Sequence, residues 1–324
     1  MQPPGQVNEV CLAPGAMRLG EAIRELGRVF REAGVQTAGL DARLLASHVC
    51  ALTPEQTIAE PGFMLSPEMT VRINEVAVRR LAGEPVSRII GYREFWGLPF
   101  SLSPHTLDPR PETELLVEAV LDYVCAEGLS ASPIRILDLG TGSGCLLGAL
   151  LSELPLSTGV GVDLSQEALC TARENLRRLG LLNRASFLCG GWARALGDGS
   201  FDIIVSNPPY IGSSEIVGLE AEVQAFDPRL ALDGGKDGLE AFRMILADAF
   251  RVLGAKGLVI FETGYRQAQI VREMMVNTAL GACCLEARVL VDLNGIERAV
   301  AGRRQSVDCE TKSKKKVGNP ALSG

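Results

Sequence analysis

The spacing of apolar residues divides the chain into regions of different pattern. In the first region, apolar residues recur every three or four positions, which predicts helices over residues 20–33, over residues 40–52 and from Pro67 onward. The third helix has a clear start, because Ser66 is a favoured N-cap and proline suits the first helical position. These patterns predict a small helical domain over residues 17–84.

Residues 85–107 change in character. Two β-prone runs, 88–96 and 100–103, flank Gly97-Leu98-Pro99, which predicts a β-hairpin that links the helical domain to the rest of the chain. A helix is expected to begin near Glu112, after a stretch stiffened by three prolines.

Beyond the hairpin, apolar runs of strand length alternate with amphipathic segments of helix length. The predicted strands are residues 134–139, 159–164, 185–189, 201–206 and 257–263, and an antiparallel pair over 284–291 and 296–301. The predicted helices are residues 145–153, 166–179, 239–253 and 266–276. This alternation predicts an α/β domain over residues 108–303, in which helices cover both faces of a mostly parallel sheet. Ligands of such sheets bind beyond the carboxyl ends of the strands.

The two ends of the chain have the composition of disordered segments. Residues 1–16 are rich in proline and glycine and contain no lysine, arginine or long apolar run, so we expect a disordered leader and not a secretory signal. Residues 304–324 form an expected disordered basic tail, in which the role of the lysine run 314–316 stays open. No apolar run is long enough to predict a membrane span.

The charge balance narrows the range of partners. The 324 residues carry a net charge of -7, and six basic and two acidic residues lie from Arg303 onward, which leaves 26 basic and 37 acidic residues, or -11, in the body. Direct nucleic acid binding is therefore not expected, since a surface that neutralises phosphates is basic.

The cysteines and histidines predict no metal site, because the nine cysteines are scattered without a C-x-x-C spacing and there are only two histidines. They indicate reduced thiols and a cytoplasmic protein.

A glycine-rich turn follows the first strand of the α/β domain. Gly140, Thr141, Gly142, Ser143 and Gly144 lead from this strand into a helix, and Asp163 ends the next strand. Glycines allow the backbone to approach a ligand closely, and a carboxylate at that position can accept both hydroxyls of a ribose. The pattern predicts a nucleotide-like cofactor, with a tight packing turn as the less favoured alternative.

The residue before the turn bears on which cofactor binds. Asp138 would repel a pyrophosphate and attract a cation, which favours S-adenosylmethionine over a dinucleotide. It could equally anchor the loop through backbone N–H groups, and the sequence leaves both possibilities open. Trp192 follows the third strand, where an adenine would lie, although a tryptophan of the core would give the same pattern.

The strand over residues 201–206 runs directly into Asn207, Pro208, Pro209 and Tyr210. The two prolines have no N–H, so the Asn207 side-chain oxygen and the Pro208 carbonyl are acceptors without local donors. Such a corner suits a planar NH2 group and could point its nitrogen at a methyl donor. Tyr210 could pack on the flat face of that group. The alternative is a rigid turn that merely ends a strand.

These motifs together resemble a class I S-adenosylmethionine-dependent methyltransferase with a Rossmann-like sheet. Three further stretches, 93–100, 110–114 and 226–235, resemble the release factor glutamine methyltransferases, the HemK-like protein-(glutamine-N5) methyltransferases. The resemblance covers roughly residues 18–303. One departure is Gly191, because the residue before the tryptophan is often acidic in relatives.

The resemblance implies an enzyme that methylates the glutamine amide of the Gly-Gly-Gln motif in peptide chain release factors, its protein partners. It implies cofactor contacts at residues 140–144, Asp163, Trp192 and Asn207, with the substrate glutamine at residues 207–210. Asn207, Pro208 and Tyr210 are the candidate catalytic residues. Residues 110–114 could simply start a helix, and the role of Glu262 stays open.

Other functions remain as alternatives. They are glutamine methylation of a ribosomal protein, amino-methylation of a nucleic acid base, an NAD-dependent oxidoreductase and a binding module without catalysis. The charge of the body disfavours the nucleic acid substrate, and Asp138 with the proline corner disfavours the oxidoreductase.

Overall fold

A computed structural model describes residue 12, residues 17–279 and residues 284–305. It contains two compact units. The first unit comprises the chain up to Asp108 together with Ile216–Arg229. The second unit comprises Pro109–Glu215 and the chain from Leu230. The predicted tail beyond residue 305, and the predicted leader apart from Leu12, lie outside the described residues.

The first unit is a helical domain with a short hairpin. Its elements up to Asp108 are α1 (Leu19–Glu32), α2 (Ala38–Cys50), α3 (Pro54–Ala59), α4 (Pro67–Leu81), α5 (Val86–Ile90), β1 (Tyr92–Phe95) and β2 (Leu98–Ser101). The three predicted helices are confirmed as α1, α2 and α4, and the Ser66 hydroxyl caps α4 by accepting from the Met69 N–H. Leu12 is buried in the core of these helices. This residue of the predicted disordered leader is therefore ordered.

The hairpin differs in detail from the prediction. Its turn is Trp96-Gly97, both at positive φ, so Leu98 and Pro99 belong to β2 and not to the turn. Arg88 lies in α5 and not in a strand. The Arg88 guanidinium donates to the carbonyls of Ser103 and Thr106, both at 2.6 Å, and these tertiary contacts accompany a helical turn where the local sequence favours a strand.

Two ion pairs hold the segment 216–229 within the first unit, and one of them, Arg88–Asp227, is buried. Arg80 donates to Asp41 at 2.7 Å and to Glu222 at 2.6 Å, and Arg88 donates to Asp227 at 2.7 Å. Breaking a buried pair of this kind costs about 3–5 kcal/mol, since one charge stays buried without its partner. These contacts therefore hold residues 216–229 in the first unit, whereas the sequence assigned these residues to the α/β domain.

The rest of the chain is built from alternating strands and helices. Its strands are β3 (Arg135–Leu139), β4 (Thr158–Asp163), β5 (Ala185–Cys189), β6 (Phe201–Ser206), β7 (Leu253–Glu262), β8 (Cys284–Val291) and β9 (Glu297–Gln305). Its helices are α6 (Glu114–Ala126), α7 (Cys145–Glu153), α8 (Gln166–Arg178), α9 (Ala221–Phe226), α10 (Glu240–Val252) and α11 (Ala268–Ala279). The short helix α9, which the sequence did not predict, belongs to the first unit.

The seven strands β3–β9 form one sheet in the order β5-β4-β3-β6-β7-β9-β8. The first five strands are parallel, and β9 is antiparallel to both β7 and β8. This confirms the predicted α/β fold with its closing antiparallel pair. The strand order reverses direction between β3 and β6, and ligands of open α/β sheets bind at such a point.

Apolar residues of the central strands and of α10 and α11 form the core of the sheet. Leu137, Ile204, Phe242 and Phe261 are all fully buried there. No helix among the described residues is long and apolar enough to cross a membrane.

Candidate active site

The glycine-rich turn lies between the end of β3 and the start of α7. The N–H groups of Gly140 and Thr141 both donate to the Val162 carbonyl, at 2.8 and 3.0 Å, which ties the turn to β4. Gly140 has φ +73°, and a Cβ there would lie 3.7 Å from the Trp192 ring and 3.9 Å from the Asn207 carbonyl oxygen. The turn, Trp192 and Asn207 therefore meet at the carboxyl ends of the strands.

The side chains of the turn are largely engaged by the protein itself. Thr141 and Ser143 are buried, and the Ser143 carbonyl accepts from the Asn175 amide at 2.9 Å. A Cβ on Gly144 would lie 3.1 Å from that of Ala172, so the absence of a side chain allows α8 to pack closely. The predicted cofactor contacts of Thr141, Ser143 and Gly144 stay predictions. Because the side chains of Thr141 and Ser143 are buried and Gly144 has none, these contacts would be made by backbone atoms.

Asp138 is buried beneath the turn, with an exposed fraction of 1%. Its Oδ2 accepts from the Thr141 hydroxyl at 2.7 Å, so a side chain anchors the loop where the sequence suggested backbone N–H groups. Its Oδ1 is buried and has no hydrogen-bond partner among the described residues. Burial raises the pKa of Asp138 to about 7. A neighbouring cation would relieve the cost of this unpaired oxygen.

Asp163 ends β4 on the other side of the turn. One carboxylate oxygen accepts from the Gly142 N–H and the other from the Ser165 N–H, both at 2.9 Å. Burial raises the pKa of this carboxyl group above its usual range. Because each oxygen of a carboxylate can accept more than one hydrogen bond, Asp163 can still accept from two vicinal hydroxyls.

Trp192 has φ +54°, a left-handed conformation that is unusual for a bulky residue. Such backbone strain costs on the order of 1–3 kcal/mol and concentrates at functional sites. A Cβ on the preceding Gly191 would meet only Leu164 Cδ2, at 4.0 Å, so a side chain there would have open space.

Asn207 directly follows β6, whose last residue Ser206 donates to the Leu139 carbonyl at 2.6 Å. This bond joins the ends of β6 and β3, so the proline corner and the glycine-rich turn lie side by side. The Asn207 amide donates to the Thr113 hydroxyl at 3.1 Å. Thr113 lies in a turn of 3-10 helix, Pro111–Thr113, just before α6.

Glu262, at the end of β7, joins two of these groups. Thr113 donates to its Oε2 at 2.5 Å, and the Tyr210 hydroxyl donates to its Oε1 at 3.2 Å. Glu262 is buried, which raises its pKa to about 7. Burial and the Glu262 charge raise the pKa of Tyr210 above its usual range. Tyr210 is therefore a protonated hydrogen-bond donor at neutral pH.

The backbone of the proline corner is supported from behind. Gln267 donates to the Tyr210 carbonyl at 2.9 Å, and its own Oε1 accepts from the Gly264 N–H at 3.0 Å. A Cβ on Gly234 would lie 2.7 Å from the Pro209 carbonyl, and one on Gly238 would overlap the Tyr210 carbonyl. Because Gly234 and Gly238 have no side chains, the segment that contains them can pack directly on the proline corner.

The structure brings the predicted residues 140–144, Asp163, Trp192 and 207–210 to one edge of the sheet. Sequence reasoning missed Thr113 and Gln267, and it left Glu262 open. A signal for Thr113 existed in the stretch 110–114, which had a sufficient explanation as a helix start.

Comparisons with known proteins find relatives that match most of this chain. The family described as "PrmC N-terminal domain" matches residues 21–91, and the family described as "Methyltransferase domain" matches residues 130–317. The chain is 45% identical to the release factor glutamine methyltransferase of Bradyrhizobium diazoefficiens, over 87% of this chain and 94% of the relative. It is 43% identical to the protein of the same name from Rhodospirillum rubrum, over 90% of this chain and 86% of the relative.

A likeness to a solved structure supports the fold alone. The catalytic domain of hMettl16, solved in complex with MAT2A 3'UTR hairpin 6, aligns with a TM-score of 0.51 and 15% identity. The alignment covers 76% of this chain and 86% of that one.

Proposed function

Since this chain belongs to the release factor glutamine methyltransferase family, we propose that it methylates the side-chain amide nitrogen of the glutamine in the Gly-Gly-Gln motif of peptide chain release factors. The chain is a methyltransferase, and we propose S-adenosylmethionine as its methyl donor. The observation that carries the proposal is the amide-accepting corner at Asn207, whose own NH2 is already engaged by Thr113.

The corner offers acceptors to a planar NH2 group. Because its Nδ2 is bound to Thr113, Asn207 has Oδ1 left to accept a hydrogen bond from one N–H of the substrate amide. The Pro208 carbonyl can accept a hydrogen bond from the other N–H. Two such hydrogen bonds fix the plane and position of the amide. They favour a pyramidal nitrogen, on which the lone pair is less delocalised into the carbonyl group. Orientation of this kind contributes up to roughly 7–11 kcal/mol to a bimolecular reaction.

S-adenosylmethionine, when bound, supplies a methyl group on a positively charged sulfur that leaves as a neutral thioether. The amide nitrogen would form its bond to this methyl carbon as the bond between that carbon and sulfur breaks, and one of the two protons on the nitrogen would then pass to water. No described side chain must act as a covalent nucleophile for this exchange. The protein's part is to hold and orient the amide and to exclude other geometries.

The residues of the turn fit this donor. The unpaired oxygen of Asp138 suits an ammonium group, and a pyrophosphate at the same place would be repelled. Asp163 can hold the ribose hydroxyls, and the ring of Trp192 can stack on the adenine. These assignments form part of the proposal, together with backbone contacts from residues 140–144.

We assign capture of the release factor to the first unit, whose match to the PrmC N-terminal domain family supports this role. The segment 216–229, which begins six residues after Tyr210, belongs to this unit and is bound to it through Arg80 and Arg88. The first unit therefore extends beyond residues 17–84, because Glu222 and Asp227 belong to it as well. We propose a cytoplasmic location, because the proposed release factor substrates act there in translation termination.

Two substrates are rivals. The negative charge of the body disfavours a nucleic acid base, and the likeness to hMettl16 concerns the fold alone. A ribosomal protein glutamine would use the same corner, and the experiment must separate it from a release factor.

The test is mass spectrometry after incubation of the full-length enzyme with a labelled methyl donor and each candidate substrate. A purified release factor should gain one methyl group on the glutamine of Gly-Gly-Gln, and a release factor with alanine at that position should gain none. Methylation of ribosomal protein or nucleic acid with the release factor left unmodified would overturn the proposal.

A further inference from the structure

Three polar side chains from distant parts of the sequence form a chain of hydrogen bonds behind the proline corner. Asn207 donates to Thr113 at 3.1 Å, and Thr113 donates to Glu262 at 2.5 Å. Thr113 and Glu262 are 2% and 3% exposed, so water does not compete for these bonds. The chain joins the turn before α6, the end of β6 and the end of β7.

The direction of these bonds follows from the protons available. A threonine hydroxyl has a single proton, and a carboxylate has none. While Glu262 is ionised, it must accept the Thr113 proton, so Thr113 can only accept from its other neighbour. The Asn207 amide must then present its NH2 to Thr113. A flipped amide would place Oδ1 against the hydroxyl oxygen, two acceptors without a proton between them.

This order decides which end of the amide is available for a ligand. With Nδ2 held by Thr113, Oδ1 lies on the opposite edge of the amide group. A substrate NH2 needs an acceptor, so only this orientation is productive. An asparagine without such a neighbour could present either end, because the two orientations differ little in shape.

We propose that Thr113 and Glu262 are positioning residues that fix the Asn207 carboxamide with its oxygen toward the substrate amide. This inference rests on the proposed function. It assigns a purpose to the burial of a carboxylate, which the packing of β7 alone would not require. Tyr210, which donates to the other oxygen of Glu262, is held by the same carboxylate.

Protonation of Glu262 would remove this order. A protonated carboxyl group can donate to Thr113, whose own proton is then free to bond to Oδ1 of a flipped Asn207. The pKa of Glu262, raised to about 7 by burial, places this change near neutral pH. The charged and titratable groups that act on Glu262 are Tyr210, Glu112 and Arg298, and Arg298 opposes the effect of Glu112.

The first experiment compares Thr113→Val, Thr113→Ser and Thr263→Val. The valine variant at 113 keeps the shape of the side chain and removes the hydroxyl, and the serine variant keeps the hydroxyl. Thr263 is the matched control, because it is equally buried, adjoins Glu262 and has a hydroxyl without a partner among the described residues. The measurements are kcat and KM for the release factor, S-adenosylhomocysteine binding by calorimetry and stability by urea unfolding.

We expect Thr113→Val to lower kcat on the order of 10²-fold, since a misplaced reacting group has an effect of this size. Binding of S-adenosylhomocysteine should stay within a few fold of wild type. Thr113→Ser should recover most of the activity, and Thr263→Val should keep all of it. Equal activity of Thr113→Val and Thr263→Val would overturn the proposal, as would equal losses in the serine and valine variants at 113.

The second experiment measures the pH profile of kcat/KM for the release factor at saturating methyl donor, because Asp138, whose pKa is also raised to about 7, would otherwise add its own step through cofactor binding. Wild type should lose activity as the pH falls through about 7, where Glu262 becomes protonated. Glu262→Gln, whose amide can donate to Thr113 at every pH, should have low activity and lack this step. An unchanged step in Glu262→Gln would refute the role of the carboxylate.

These outcomes separate the inference from the proposed function. If wild type does not methylate the release factor, the proposed function fails before any variant is compared. If wild type is active and the variants at 113 and 262 behave like the control, only the positioning role fails. Infrared titration of the Glu262 carboxyl group in wild type and Thr113→Val gives a check that needs no turnover. Loss of its hydrogen bond to Thr113 should raise the pKa of Glu262.

Discussion

Replacement of Asn207 by alanine tests the amide-accepting corner directly. In the structure, the side chain donates one hydrogen bond, to Thr113 at 3.1 Å. Truncation leaves the Thr113 hydroxyl still donating to Glu262, so no buried donor loses its partner. We therefore expect the free energy of unfolding to fall by about 0.5–1.5 kcal/mol, the net contribution of an ordinary hydrogen bond.

Methyl transfer should suffer far more than stability. Loss of an acceptor beside a desolvated NH2 group costs about 1–3 kcal/mol, which corresponds to roughly 5- to 150-fold in rate. Loss of orientation adds to this, and a misplaced reacting group can cost a further factor of about 10². The combined loss should therefore reach about 500-fold or more when both effects act.

The assay is single-turnover transfer of labelled methyl to a release factor, with urea unfolding of the same preparation. Asn74→Ala is a useful control, because Asn74 also makes side-chain hydrogen bonds, to the backbone of Leu12 in the first unit. It should lose stability and keep its transfer rate. Transfer by Asn207→Ala within about threefold of wild type would refute the proposed mechanism, since the estimated hydrogen-bond loss alone exceeds that factor.

Three further predictions concern the cofactor pocket and the support of the corner. Asp163→Ala should weaken S-adenosylhomocysteine binding in calorimetry more than it raises KM for the release factor, and the reverse pattern would contradict the ribose assignment. Gly191→Asp should tighten that binding by a few fold, because a side chain there has open space, and weaker binding would argue against an adenine beside it. Gly238→Ala should lower kcat at least tenfold, since its Cβ would overlap the Tyr210 carbonyl. The control is Gly180→Ala, which has a similar positive φ and no neighbour within 4 Å. In measurements of unfolding and of rate, this control should lose stability and keep its kcat.

The order of helices and strands could be predicted because each long element has its own periodic signal. Helix α7 and strands β5 and β6 begin and end where the sequence indicates. The short elements could not be predicted in the same way. Residues 88–90 favour a strand, yet the Arg88 guanidinium binds carbonyls 15 and 18 residues away and the carboxylate of Asp227, 139 residues away. Such tertiary contacts leave no trace in the local pattern.

The same distinction separates the parts of the candidate site. Backbone requirements are visible in sequence, because glycines and prolines restrict the chain wherever it goes, and the turn at 140 and the corner at 207 follow from them. The order of hydrogen-bond donors and acceptors at the site cannot be predicted from the sequence. Thr113 and Glu262 lie 149 residues apart, and each has an ordinary local explanation. Only the fold, by placing the ends of β6 and β7 side by side with the turn before α6, joins them into one hydrogen-bonded chain. A corner that accepts an amide therefore depends on residues outside the motif, and a variant can keep all four motif residues and still lose the orientation that makes them useful.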